Sequence, residues 1–328
     1  MNIIVQKYGG TSVENKEKLE RICENIISYI DKGKDLVIVV SAQGKTTDNL
    51  IKKASEYVNI PNKRDLDFLL ATGEMQTVAL LSMMLNEKGY NAVGLTGGQA
   101  GILSDNIHGS ASIKSIYAEN ILKYLRDGKI VIVAGFQAID KLGNITTLGR
   151  GGSDLSAVAI ACSLKADKCE IYSDIDGIYS ADPRIISKAK LLKNISYNEM
   201  LEAATAGAKV LHNRSVNVGK KNNMPIIVKN AQKKTRGSVV QETCDEDEIE
   251  KYSVKFITKK DDISKICIIG DMVMSNKEAI VAIYNVADKE NVTIYMISFS
   301  ELAINIIVDK DKALSFMEKL HEALIENK

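Results

Sequence analysis

Residues 36–46 read LVIVVSAQGKT. Five apolar residues in a row, four of them β-branched, are the pattern of a strand buried on both faces, as strands are in parallel sheets covered by helices. The polar turn SAQGKT, residues 41–46, then breaks the run. It resembles the end of a phosphate-binding P-loop, but the glycine which that motif requires five residues before Gly44 is Val39. A P-loop nucleoside triphosphatase is therefore excluded, and a small strand-to-helix turn that lines a ligand remains open.

Outward from this run the grammar repeats. Apolar strand patterns occur at Ile3–Val5, Ala92–Leu95, Ile130–Ala134, Glu170–Tyr172 and Ile226–Val228, and helical periodicities at Lys16–Ile30, Asp65–Glu87, Ile113–Asp127, Asp154–Leu164 and Tyr197–Gly207. This βαβα order over residues 1–240 predicts an α/β fold, a mostly parallel sheet sandwiched by helices. Ligands of such sheets bind beyond the carboxyl ends of the strands. Of 22 glycines, 18 fall at or before Gly177 and none follows Gly270, so the front of the chain is the part built to turn sharply or approach a ligand.

The acidic stretch QETCDEDEIEK at 241–251 has no apolar period and reads as a linker. Beyond it, strands at Tyr252–Thr258, Lys265–Ile269, Val292–Ser298 and Leu302–Val308, with helices at Lys277–Glu290 and Lys310–Ile325, predict a small α+β domain over 252–328. A chain of 328 residues suits two domains. Lys and Arg number 43 against 42 Asp and Glu, and Trp is absent, which argues against a nucleic-acid partner. The N-terminal MNIIVQKYGG is not a targeting leader, and no uninterrupted apolar run approaches the ~18 residues that span a bilayer. A cytoplasmic protein with no membrane partner is expected. Five cysteines without a CxxC pair read as buried free thiols. Three widely separated histidines make zinc and His-based triads improbable, and no metal-ligand set is assigned.

Five segments carry candidate chemistry. In KYGGTS, Lys7–Ser12, two glycines let backbone N–H groups approach an anion and Lys7 adds a point charge; a plain Gly-Gly-Thr turn is the alternative. In GRGGSD, Gly149–Asp154, Arg150 offers a fork for a carboxylate or phosphate, and Asp154 is either an N-cap or a functional acid. YSDIDGIYSADPR, Tyr172–Arg184, presents acids, Tyr179 and Arg184 to a nucleotide, or is a decorated surface loop. The TGE of Thr72–Glu74 reads as the start of an apolar helix, with Glu74 an ordinary first-turn acid or a ligand. Lys209, in GAKVLH, is a solvated helical lysine or a nucleotide contact.

In order, KYGGTS, SAQGKTTDNL, LLATGEMQTVALL, GGQAGI, VAGFQA, TLGRGGSDLSAVAIA, YSDIDGIYSADPR and GAKVLHNRSV resemble the signatures of the aspartate kinases of the amino-acid kinase family, over residues 1–240. The resemblance implies the amino-acid kinase fold and transfer of the γ-phosphate of ATP, with Mg²⁺, to the β-carboxylate of L-aspartate. The products would be 4-phospho-L-aspartate and ADP, the first step towards lysine, threonine, methionine and diaminopimelate. It implies catalytic roles for Lys7 and Asp154. ATP would be held by Lys7, Tyr8, Gly9, Gly10, Ser41, Ser173, Asp174, Tyr179, Arg184, Lys209 and Val210. Aspartate would be held by Thr47, Glu74, Arg150, Gly151, Gly152 and Ser153, with Glu74 on the ammonium and Arg150 on a carboxylate. A related kinase of another acidic metabolite and a non-catalytic amino-acid sensor are the alternatives.

The chain departs from the family pattern in places. Tyr8 replaces the usual Phe, Ser173 the usual Thr and Asn213 the usual Pro. The tail is similar to parts of two ACT modules but holds only one, and GDMVMSNKEAIV has no glycine after Gly270 where an effector turn is expected. The resemblance implies a homodimer through residues 252–328.

Overall fold

A computed structural model of the chain describes residues 1–208, 210–242, 255, 257, 258, 260–270, 273, 276–300 and 302–326. The chain divides into two compact units, Met1–Thr258 and Lys259–Lys328. Lys255 and Ile257 go with the first: the Lys255 ammonium lies 3.1 Å from a Glu199 oxygen, and the Ile257 N–H donates to the Ser180 carbonyl. The expected linker 241–251 lies outside the described residues from 243 on, as do most of the strand expected at Tyr252–Thr258 and residues 271, 272, 274 and 275 of the expected effector turn.

The first unit runs β1 (Ile3–Tyr8), α1 (Lys16–Ile30), β2 (Asp35–Val40), α2 (Thr46–Tyr57), α3 (Lys63–Glu87), β3 (Ala92–Leu95), β4 (Ile102–Ser104), β5 (Ile113–Ile116) and α4 (Glu119–Arg126). It continues β6 (Ile130–Ala134), β7 (Gln137–Ile139), β8 (Ile145–Thr147), α5 (Gly152–Leu164), β9 (Lys168–Ser173), β10 (Asn194–Ser196), α6 (Tyr197–Thr205), α7 (Asn213–Lys221), β11 (Ile226–Asn230) and β12 (Ser238–Gln241). The main sheet has the order β10-β12-β11-β9-β1-β2-β6-β3 and is parallel except where β12 meets β11. Strand β2 shows why its sequence has no alternation. Val37 and Val39 enter one core with Ile160 and Ala161 of α5, while Leu36, Ile38 and Val40 enter the other with Ile22 and Ile26 of α1. Period two is present, but both faces are buried.

The second sheet, β5-β4-β7-β8, is absent from the sequence reading, which placed a helix over Ile113–Asp127. Ile113–Ile116 instead pairs antiparallel with β4, and the helix begins only at Glu119. One turn of apolar spacing fits either state, and the pairing decides it. Helix α2 was likewise missed, for a visible reason: none of its residues is fully buried.

Helix α3 corrects the reading of Glu74 as a first-turn acid. It starts at Lys63, so Glu74 sits in mid-helix, away from the N-terminal dipole that a first-turn acid answers. By length and composition it is also long and apolar enough to cross a membrane, although 44% of its most apolar stretch is buried within the protein, where it packs on β3, β6 and β8. The thiol expectation needs one correction too: Cys23 and Cys169 are buried and Cys162 half-buried, but Cys267 is exposed.

The second unit contains β13 (Ile263–Ile269), α8 (Lys277–Lys289), β14 (Ile294–Ser300), β15 (Ala303–Asp309) and α9 (Ala313–His321), followed by a π-helical turn at Glu322–Glu326. Its antiparallel sheet has the order β13-β15-β14. Ile266, Ile304, Ile306 and Val308 of the sheet close a core with Ile283, Phe316 and Leu320 of the helices.

Candidate active site

Strands β9, β1, β2 and β6 are adjacent and parallel, so their carboxyl ends lie along one edge. At or just after these ends lie Ser173-Asp174, Gly9-Gly10, Ser41-Ala42 and Gly135-Phe136. Lys7, buried on β1, reaches Asp154 in the first turn of α5, with 2.5 Å between Nζ and Oδ1. The N-terminus of α5 therefore enters the same edge. Asp154 is not the N-cap; that place is taken by Gly151, whose φ of +71° is left-handed and favours glycine.

Close approach explains the other glycines of the site. A Cβ on Gly10 would lie 2.8 Å from the Ala42 carbonyl oxygen, and one on Gly135 would lie 2.9 Å from the Ser153 Cβ. A Cβ on Gly73 would lie 2.9 Å from that of Ala42, so Gly73 lets α3 press onto the turn after β2. This contact delivers Glu74. Its Oε1 accepts the Ala42 N–H at 3.1 Å, while Oε2 is buried with no partner among the described residues. Burial raises the Glu74 carboxyl to about pKa 7, against backbone hydrogen bonding from Ala42 and from its own N–H. An acid in this state is incomplete: it lacks a cation or a donor.

The structure thus brings Lys7, Gly9, Gly10, Ser41, Glu74, Gly151, Gly152, Ser153 and Asp154 together. Half-buried Thr47 lies in the first turn of α2, next to Thr46, which faces Gly73. Arg150 is exposed at the corner before α5. Ser173 and Asp174 join through the Gly9 N–H, which donates to the Tyr172 carbonyl at 3.2 Å.

Other expected residues are placed differently. The Tyr8 ring is buried, stacked on Tyr172 with centroids 4.7 Å apart, and its hydroxyl bonds Asn25 and Gln6. Only the Tyr8 main chain faces the site, and its carbonyl already accepts the Ser41 N–H. Arg184 is exposed and forks onto Asp182 of its own loop, 2.8 Å away, with Asp174 adding to the field. Tyr179 bridges to Leu191. Val210 is half-buried against the α5 core, and Lys209 lies outside the described residues.

Several supporting groups escaped the sequence reading. Asp67 of α3, fully buried, accepts from the Gly109 and Thr147 N–H groups and the Thr147 hydroxyl, and meets His108 at 2.9 Å. Asn230 donates to the Asp174 carbonyl and to Asp176, fixing the turn after β9. Glu170, behind the sheet, contacts Gln6, Tyr29, Tyr172, Lys168 and Lys229. Burial pushes its carboxyl up, but Lys229 and Lys168 outweigh that and hold it below the ordinary value. Their only sequence signal is a polar or charged residue inside an apolar element.

The profile of the amino acid kinase family, meanwhile, matches residues 2–230. The chain belongs to the amino acid kinase family. Within it the chain groups with the aspartokinases, and so with the phosphotransferases. The aspartokinase of Geobacillus stearothermophilus is 38% identical over 395 aligned positions, covering 98% of this chain and 97% of that protein. That alignment is longer than the chain itself, so the Geobacillus protein carries residues that this family member lacks. Aspartokinase 2 of Bacillus subtilis is 42% identical, over 99% of this chain and 80% of its own. Among solved structures, E. coli aspartokinase III in complex with aspartate and ADP superposes with a TM-score of 0.78 at 21% identity, over 98% of this chain and 84% of that one, a likeness of fold.

Proposed function

We propose that this amino acid kinase transfers the γ-phosphoryl group of ATP to the β-carboxylate of L-aspartate, giving 4-phospho-L-aspartate and ADP. The observation that carries the reading is the pairing of two opposite features at one sheet edge. One is the buried Lys7–Asp154 ion pair; the other is a buried carboxylate, Glu74, with an unpartnered oxygen. The first suits a transferring phosphoryl group, and the second suits the ammonium of an unblocked amino acid. Relatives named aspartokinase support the same substrate.

The acceptor carboxylate is ionised at neutral pH, so the reaction needs no general base. Catalysis rests on alignment and on neutralising charge. Lys7, held by Asp154, meets the γ-phosphoryl oxygens, and the Gly9, Gly10 and Ser41 main chain lies against them. Arg150 and Ser153 hold the acceptor carboxylates, Glu74 takes the ammonium, and Thr47 closes that side. Ser173, Asp174, Tyr179, Arg184, Lys209 and Val210 hold the nucleotide; Arg184 must leave Asp182 to do so. Mg²⁺ is a companion of ATP here: it needs only one or two carboxylates beside phosphate oxygens and water, and exposed Asp174 is such a carboxylate.

Purified protein is expected to release ADP only when both L-aspartate and Mg²⁺ are present. ATP turnover independent of aspartate, or turnover with an N-acylated acidic amino acid alone, overturns the assignment.

The unit Lys259–Lys328 is proposed as a single ACT-like module that pairs with a second copy, in a protein of cytoplasmic amino-acid biosynthesis. Among the described residues both β13 and β14 are open edges of a three-stranded sheet, and Ile269 and Met296 on them are exposed, 77% and 57%. Light scattering at micromolar concentration should give the mass of a dimer; a monomer removes the proposal.

A further inference from the structure

We propose that Arg214, together with His212, is a positioning residue for the acidic substrate: from α7 it holds the corner Leu148–Gly152 in the geometry that aims Arg150 and Ser153 at the acceptor. The inference rests on the reading of an acidic acceptor given above, and it gives His212 and Arg214 of the GAKVLHNRSV segment a role that neither the motif reading nor that reading assigns.

The corner does not hold itself. Gly149 and Gly151 both take left-handed backbone, with φ of +73° and +71°, and between them Arg150 is exposed. Inside the turn the Gly152 N–H donates to the Gly149 carbonyl. The direction of the Arg150 side chain is therefore set by whatever fixes the backbone on either side. On the strand side that is Leu148, whose N–H donates to the Phe136 carbonyl at 2.8 Å. Its carbonyl accepts Nη1 of Arg214 at 2.5 Å, and Nη2 of the same guanidinium donates to the Ala111 carbonyl at 2.8 Å. Ala111 in turn donates to the Thr147 carbonyl. One planar fork thus spans two segments that meet beside Gly149, a geometry that a single ammonium does not reproduce.

The other end of the corner is seated on the preceding turn of the same helix. His212 is the N-cap of α7, and its Nδ1 accepts the Arg214 N–H at 3.3 Å. The ring lies against Gly151 so closely that a Cβ there would sit 2.5 Å from the His212 Cβ. Burial, then Arg214 and Arg150, lower the imidazole pKa and outweigh the opposing pull of Asp154, so at neutral pH the ring adds no cation to compete with Lys7 for Asp154. Residues 212–214 thus grip the corner at Leu148 and at Gly151. The chain just before them, at Val210, is the segment assigned above to the nucleotide.

Three variants separate positioning from plain stability. Arg214→Met keeps the aliphatic stem and loses the fork; Arg214→Lys keeps the charge; His212→Asn keeps a side-chain cap for α7 and loses the ring. Arg214→Met should raise KM for aspartate about tenfold or more with less than about a threefold change in KM for ATP. It should also speed amide hydrogen exchange at residues 148–152 of the unliganded protein, while exchange in the body of α5 stays as it was. Arg214→Lys should fall between it and the parent, and His212→Asn should raise the aspartate KM while leaving the melting temperature in place. Equal increases in both KM values, an unchanged aspartate KM, or unchanged exchange at the corner overturns the proposal. If the parent protein shows no aspartate-dependent turnover, the acceptor reading fails by itself, and the exchange measurement still decides whether Arg214 holds the corner.

Discussion

Lys7→Ala is expected to lower aspartate-dependent ADP release by roughly 10³-fold, the loss typical when one preorganised charge or donor is removed from a developing anionic transition state. Nearly all of this should appear in kcat. The ammonium is not free to wander: the Lys7 and Asp154 side chains are only 11% and 15% exposed, and Nζ is held 2.5 Å from the carboxylate. Removing one partner of such a pair leaves a buried charge alone, at a cost of about 3–5 kcal/mol. The single variant therefore confounds chemistry with stability, and a second change separates them. Lys7→Ala combined with Asp154→Asn removes the stranded charge and should recover much of the lost melting temperature, with activity no better than Lys7→Ala alone. If activity returns along with stability, Lys7 is a structural ion-pair partner and the catalytic assignment fails.

How much of this was legible in the sequence depends on where the deciding contact lies. Leu36–Val40 announces a buried parallel strand because five consecutive residues carry the signal, and no distant partner can reverse it. Ile113–Ile116 carries one apolar turn, and its pairing with β4 overrides any local preference. Helix α2 hides because its polar face needs no core. At the site, the glycines and Lys7 were readable because each answers to its immediate neighbours. The position of Glu74 was half legible: the apolar period from Asp65 puts it inside a helix although TGE looks like a helix start, and Asn62, capping at the Arg64 N–H, fixes the start at Lys63. Asp67 and Arg214 were least visible, since each acts on backbone groups far away in sequence.

Glu74 gives the second large effect, and it carries a sign. Burial raises its carboxyl from the ordinary value of 4.5 to about 7, while an unfolded chain keeps the ordinary value. The native state thus holds a proton that the unfolded state gives up, so the stability contributed by this group is fully present below about pH 4.5 and is lost as pH rises to about 7. Binding runs the other way. An ammonium seated on Oε2 needs the ionised acid, so below the folded pKa each aspartate bound must displace a proton. Aspartate should bind about tenfold more tightly at pH 8 than at pH 6, levelling off above the pKa. Calorimetry at pH 7 in buffers of different ionisation enthalpy should show net proton release. Glu74→Gln keeps the shape, and its amide can still accept the Ala42 N–H, but it cannot neutralise the ammonium. It should weaken aspartate about 10²-fold, flatten the pH profile and leave ATP affinity nearly unchanged. The unliganded variant should also lose the decline in stability between pH 4.5 and 7 that the parent shows. A parent whose aspartate affinity does not vary across this range would place the ammonium elsewhere and leave the unpartnered oxygen of Glu74 without a ligand.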